Sequence, residues 1–274
     1  MIADRAGRAG NLIVLAVDFF DQLGNAAVPL DAFHLLFSGG RIGGEIKTDV
    51  ARMREIRRAV PHIALLGGGV SNQILPGKIR VSDSLPVCRE AIPALPESLH
   101  DEAGRVSYRG LAFERSFSRM DDGKNPKLLP YIRSAADLLD GPAEAKGKKD
   151  GPADQMRMTC ELLAPGVRLY TEIDCLDVSE VELGCLTAAL HRFSRSPHIG
   201  GQSNRGHGRV ALDYDLMDLD TGAVQPFLRV ADGPAALAPP AEAAKSAYDQ
   251  HLREVYNQAL DQHAGEIKVL LGAA

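Results

Sequence analysis

The chain has 274 residues, with 31 lysines and arginines against 36 acids and a net charge of −5. With 45% hydrophobic and 24% charged residues it can form a core and is not a disordered chain. The length fits one large domain or two small ones, and no apolar run reaches the ~18 residues of a spanning helix. The best run, residues 12–20, is interrupted by Asp18, and its apolar start is too short for a secretory signal. Cys88, Cys160, Cys175 and Cys185 show no CxxC spacing and read as reduced thiols of a cytoplasmic protein.

In chain order, residues 11–20 read as a buried strand around Leu12, Val14 and Val17. Residues 48–60 read as a helix capped by Thr48, with Met53, Ile56 and Val60 on one face and Pro61 at its boundary. An apolar run from His62 ends in Gly67, Gly68 and Gly69, and residues 78–82 alternate as a strand. Pro86, Pro93 and Pro96 mark a loop. Residues 104–154 are polar and end in a Gly/Lys/Pro tract, 141–152, that cannot pack a core; the span reads as an excursion.

Regular structure resumes with strands at 155–163 and 167–175, joined by a turn at Ala164-Pro-Gly-Val. Residues 179–193 form the clearest helix, with Ser179 and Glu182 as a capping box and a broad stripe including Val181, Cys185, Leu186 and Leu190. It runs into a second glycine loop, then a strand over 209–216. An Ala/Pro-rich linker precedes a last helix at 241–263, with Tyr248, Leu252, Val255 and Tyr256 on one side. No internal repeat is present.

The net charge hides two basic windows. Residues 41–80 carry eight cations against three acids, a local +5 that leaves −10 for the rest. Residues 191–209 carry Arg192, Arg195, Arg205 and Arg209, three histidines and no acid. Polyanion binding depends on such local fields, although arginines also commonly just solvate a helix face.

Familiar phosphate sites fail on detail. A phosphate loop needs lysine and hydroxyl opening a helix, and a dinucleotide fingerprint needs strand, glycines, then helix. Both glycine clusters here lead into strands. His191, His198 and His207 lack a local acid to complete a metal set, Asp121-Asp122 reads as a turn, and no G-x-S-x-G elbow exists. No cofactor or metal is expected. The second loop does suit anion contact through backbone N–H groups, with Gln202, Ser203, Asn204, Arg205 and His207 as donors. Arginines beside glycine loops, with few aromatics, favour backbone tracking over base stacking.

The run from Pro197-His-Ile-Gly-Gly-Gln-Ser-Asn-Arg-Gly-His-Gly-Arg209 resembles the glycine-rich segment of CRISPR RAMP-superfamily backbone subunits. The Arg54-Glu-Ile-Arg-Arg58 helix, the Leu65-Leu-Gly-Gly-Gly-Val-Ser-Asn stretch and Gly77-Lys-Ile-Arg-Val-Ser-Asp are similar to the type IV backbone subunit. Arg115-Ser-Phe-Ser-Arg-Met-Asp-Asp122 is similar to that family's thumb. The likeness spans roughly residues 40 to 220.

The resemblance implies an α+β fold, a modified RRM-like (ferredoxin-like) core with inserted finger and thumb segments. It implies one domain over 1–274, with 104–154 as the thumb-like insertion and 240–274 as a C-terminal helix. It further implies a non-enzymatic subunit that polymerises head to tail along guide (CRISPR) RNA and presents it to a target nucleic acid beside other effector subunits, away from membranes. Carried over, the RNA-binding positions are Arg41, Lys47, Arg52, Arg54 and Arg58, then Lys78 and Arg80, then Arg115 and Arg119 on the thumb, and the loop residues Gln202, Ser203, Asn204, Arg205, His207 and Arg209. Two alternatives stand beside this. One is a type III-like, metal-dependent RNase using Asp18, Asp21 or Asp31; the other is a soluble enzyme binding a small phosphorylated ligand. Asp213 and Asp215 are expected to meet the basic face of the next copy.

Overall fold

The computed structural model describes residues 50–70, 73–119, 156–231 and 233–261. The expected strand at 11–20, Arg41, Lys47, Asp18, Asp21, Asp31, Asp121-Asp122 and the 141–152 tract lie outside these residues. The described chain is α+β, built of helices and small antiparallel sheets.

The first helix, α1 (Val50–Ala59), stops two residues before Pro61, which marks its boundary as expected. Pro61 then opens a helix of its own, α2 (Pro61–Leu66), since the ring's fixed φ and missing N–H are harmless in a first turn. The glycines follow in β1 (Gly68–Val70), which pairs with β2 (Gln73–Leu75). β3 (Ile79–Val81) and β4 (Leu85–Pro86) come next.

The proline-marked stretch is not a plain loop. It forms two 3-10 turns, Arg89–Ala94 and Glu97–Leu99, and the short helices α3 (His100–Ala103) and α4 (Tyr108–Leu111). Val87, Leu95, Leu99 and Ala103 bury there, with Leu85, Ile92 and Tyr170 packed around them. Glu90 anchors the start of α4 by accepting from Ser107 Oγ at 2.6 Å and Tyr108 N–H at 2.8 Å. Those bonds hold its carboxyl down at about 2.

β5 (Ala112–Arg119) and β6 (Met156–Leu163) pair over eight residues. The strand expected at 167–175 is broken in two because its halves have different partners. β7 (Leu169–Tyr170) pairs with β4, and β8 (Ile173–Cys175) pairs with β3. The break matches a division of the chain into two compact units. One holds the described residues up to Asp83 and from Glu172 onward, and the other spans Ser84–Thr171.

In the first unit, α5 (Glu180–Phe193) carries the capping box read from the sequence. The chain then makes β9 (Leu212–Met217), β10 (Val224–Val230) and β11 (Ala236–Leu237), a three-stranded sheet in the order β11-β10-β9. The last described element is α6 (Pro239–Asp261). Leu183 and Leu190 of α5 pack on Phe227, Leu228, Val230 and Ala241. Val181, Cys185 and Leu186 pack instead against Leu65 of α2 and Tyr248 and Leu252 of α6. α5 therefore divides its apolar surface between sheet and helices.

The α5–α6 crossing is close because of Gly184. A Cβ there would lie 1.9 Å from the Ala244 carbonyl oxygen and 2.7 Å from Tyr248 Cβ. None of those atoms can swing away as a flexible side-chain end could, so overpacking must move a helix. Gly184→Ala is expected to destabilise the chain by at least ~2 kcal/mol, read as a lower urea midpoint with unchanged slope.

Burial has a second consequence in α2. Among the described residues His62 Nε2 is enclosed without a hydrogen-bond partner, and burial pushes the imidazole down to about 4. A group whose pKa is depressed on folding binds its proton more readily in the unfolded chain, so acid favours unfolding. Stability should fall from about pH 6.5 downward, by at most ~1.4 kcal/mol per pH unit. Unfolding titrations of His62→Met should lack that portion of the slope.

Candidate nucleic-acid interface

The second glycine loop begins where α5 ends. Ser194, buried at the helix terminus, donates from Oγ to the His191 carbonyl and accepts from Ala235 N–H. The chain then turns through Pro197 and closes a neck. His198 and Arg209 form an isolated antiparallel bridge, Ile199 N–H donates to Gly208 O at 2.9 Å, and Val210 N–H donates to Pro197 O at 2.8 Å. Beyond the neck, Ser203–Arg205 form one 3-10 turn, bounded by Gln202 at φ 62° and Gly206 at φ 80°. Gly208 cannot be another residue. It has φ 80°, and a Cβ would meet the Ile199 carbonyl at 1.9 Å. The loop is thus a closed, internally bonded lobe with Ser203, Asn204 and Arg205 exposed at its tip and His207 half-buried.

The α1 arginines differ from one another. Arg54 and Arg58 are exposed, whereas Arg57 donates to the Pro76 carbonyl, with its Nε buried. Arg52 lies on α1 and Arg119 at the end of β5. Arg80 is exposed on β3, directly across from Asp174 on β8, so an opposite charge stands beside it.

Lys78 is engaged inside the fold. Its ammonium donates to the Asp177 carbonyl at 2.7 Å and to Glu182 Oε2 at 2.8 Å. Glu182 is buried, and the same Oε2 accepts from Ser179 N–H at 2.7 Å while Ser179 Oγ accepts from Glu182 N–H. Two of the three Lys78 donors are therefore used within the chain. The sequence showed the capping box and the lysine separately, 104 residues apart, and gave no sign that they meet.

The β5–β6 ribbon offers a face that composition concealed. Phe113, Arg115 and Phe117 lie on one side opposite Leu162, Cys160 and Met158, and the Arg115 guanidinium sits 5.3 Å from the Phe117 ring centre. The local signal was present: aromatic, cation and aromatic at every second residue. A shallow cleft of about 180 Å³ adjoins it, lined by Tyr108, Phe113, Glu114 and Glu161 among others. Its Tyr108 hydroxyl bonds Glu161, which with burial and that negative charge raises the phenol above its usual value.

Asp213 and Asp215 hold Arg229, at 2.5 and 2.9 Å. They are counterions of Arg229 within the β9–β10 sheet, and both keep more than half of their side chains exposed. Among the described residues no three His, Cys, Asp or Glu side chains gather as a metal site, and no helix is long and apolar enough to cross a membrane. The four cysteines are free thiols, and burial drives Cys185 up to about 12.

The Glu182 cluster has a measurable acid signature. Burial acts to raise this carboxyl, but the Lys78 and Ser179 bonds outweigh it and hold the group below its ordinary value. A depressed carboxylate stabilises the fold above the unfolded value of ~4.3 and loses that contribution as pH falls through the folded value. Glu182→Gln should cost roughly 1–3 kcal/mol at neutral pH, less than a fully buried pair, because Lys78 keeps 26% of its side chain exposed. The gap between wild type and variant should close as both are titrated below pH 4.

No family model matches the chain, and no curated protein matches it. Among solved structures it is similar to a chain of a "Type IV-B CRISPR Complex", at 19% identity over 76% of this chain and 68% of that one, with a TM-score of 0.44.

Proposed function

We propose that the chain is a guide-RNA-binding backbone subunit of a CRISPR effector complex, with an RRM-like palm. Copies polymerise head to tail along the guide, beside other effector subunits, and present it for pairing with a target. The observation that carries the reading is the closed lobe of residues 198–209. It keeps its shape through backbone bonds at the neck and sets Ser203, Asn204 and Arg205 in solvent at the tip, a preformed surface for sugar and phosphate contacts. Exposed Arg54, Arg58 and Arg80 add positive charge, and the Phe113–Arg115–Phe117 face supplies rings on which bases can stack. Lys78 is assigned to the fold instead, as the anchor of Glu182. The role is electrostatic and steric, with no bond-breaking step.

Fluorescence anisotropy with a labelled single-stranded RNA tests the reading. The logarithm of affinity should fall linearly with the logarithm of salt, by about 0.7 for each phosphate contact. Arg205→Ala should weaken binding several-fold at low salt and make that slope shallower by about one contact's share. Failure to bind RNA at low salt, or binding indifferent to salt, would sink the proposal.

A further inference from the structure

Single exposed apolar residues are ordinary on protein surfaces, whereas clustered ones mark contacts. Among the described residues, the large apolar side chains more than half exposed are Val50, Ile74, Met217, Leu219 and Val224. They fall in two places.

Three of them build the tip of the β9–β10 hairpin. Met217 and Val224 stand directly opposite each other next to the turn, and Leu219, 70% exposed, sits in the turn itself. The turn is held by other means. Asp218 Oδ1 accepts from the Asp220 and Thr221 N–H groups, and Gly222 provides a φ of 69°. Leu219 adds nothing to that geometry, and among the described residues its side chain packs into no core cluster. Exposed Asp218 and Asp220 border the apolar knob. The N–H bonds keep the Asp218 carboxyl below its ordinary value, hence charged.

The other two lie in a basic setting. Ile74, 72% exposed, is two residues before Pro76, whose carbonyl binds Arg57 of α1. Exposed Arg54 and Arg58 flank Arg57 on that helix, and Val50 begins the same row, four residues before Arg54. One place is therefore apolar with acidic borders and the other apolar with cationic borders. Both belong to the same compact unit.

We propose that the Met217–Leu219–Val224 knob of one copy docks on the Ile74 and α1 surface of a second copy. Two different patches meet, so the interface is heterologous and leaves a free knob at one end and a free receiving surface at the other. The inference rests on the proposed function only for its assembly step, to which it assigns the surfaces.

Sedimentation velocity on the full chain, alone and with a single-stranded RNA, tests this through Leu219→Asp and Ile74→Asp. Both side chains are largely exposed, so the variants should unfold at the wild-type temperature. Wild type should self-associate with rising concentration, and each variant should do so at least ~10-fold more weakly. An equimolar mixture of the two should form dimers and grow no further, because only one intact knob and one intact receiving surface can pair. Wild-type association by either variant, a mixture no larger than its parts, or a wild type that stays monomeric throughout would overturn the proposal. On an oligonucleotide that holds a single copy, Leu219→Asp should bind RNA as wild type does, since Leu219 is not assigned to RNA. A wild type that ignores RNA would fail the functional reading and leave the mixing result to stand or fall by itself.

Discussion

The carboxylate of Glu182 ties together three stretches of chain. It closes the cap of α5, holds the ammonium that precedes β3, and so fixes the register at which α5 starts. Such an ion pair adds little net stability over an apolar substitute, yet leaving either charge alone is costly. Its value lies in position. Two residues on, Gly184 has to face Ala244, and a helix begun one residue early or late would bring Cβ atoms to that crossing. The far end of the same helix then delivers the glycine lobe. Cap, crossing and lobe are successive consequences of one starting point.

The lobe itself shows why glycines recur there. Its neck bonds backbone to backbone, so a side chain at Gly208 would collide with the strand it pairs to. A loop already ordered this way gives up little entropy when it meets a ligand. Charge is similarly arranged in advance. Several acids behind the net −5 are internal counterions, such as Asp213 and Asp215 around Arg229 and Glu102 on Arg168. Arg54, Arg58 and Arg205 are exposed.

What could be read from the sequence was local. The capping box, α5, the strand at 156–163 and the last helix follow from spacing and caps within a few residues. Partners far apart were not legible. Nothing near Lys78 announces Glu182, and nothing within 167–175 says that its halves join different strands. Pro93 and Pro96 suggested a loop, but Val87, Leu95, Leu99 and Ala103 have enough apolar surface to fold 3-10 turns around them. The aromatic ribbon was missed because a chain-wide scarcity of rings says nothing about two of them sharing a strand face.

The segment 84–171 leaves and rejoins the chain through neighbouring strands. On one side of the boundary Ser82 Oγ accepts from Glu172 N–H at 2.8 Å; on the other, Ser84 and Thr171 hydroxyls lie 2.8 Å apart. Its two ends are thus side by side, as at the base of a hairpin. An element attached in this way can lengthen, shrink or be exchanged without altering the path of the strands that carry it. In structural terms it is a cassette, and the span between Asp83 and Glu172 could be closed by a tight turn.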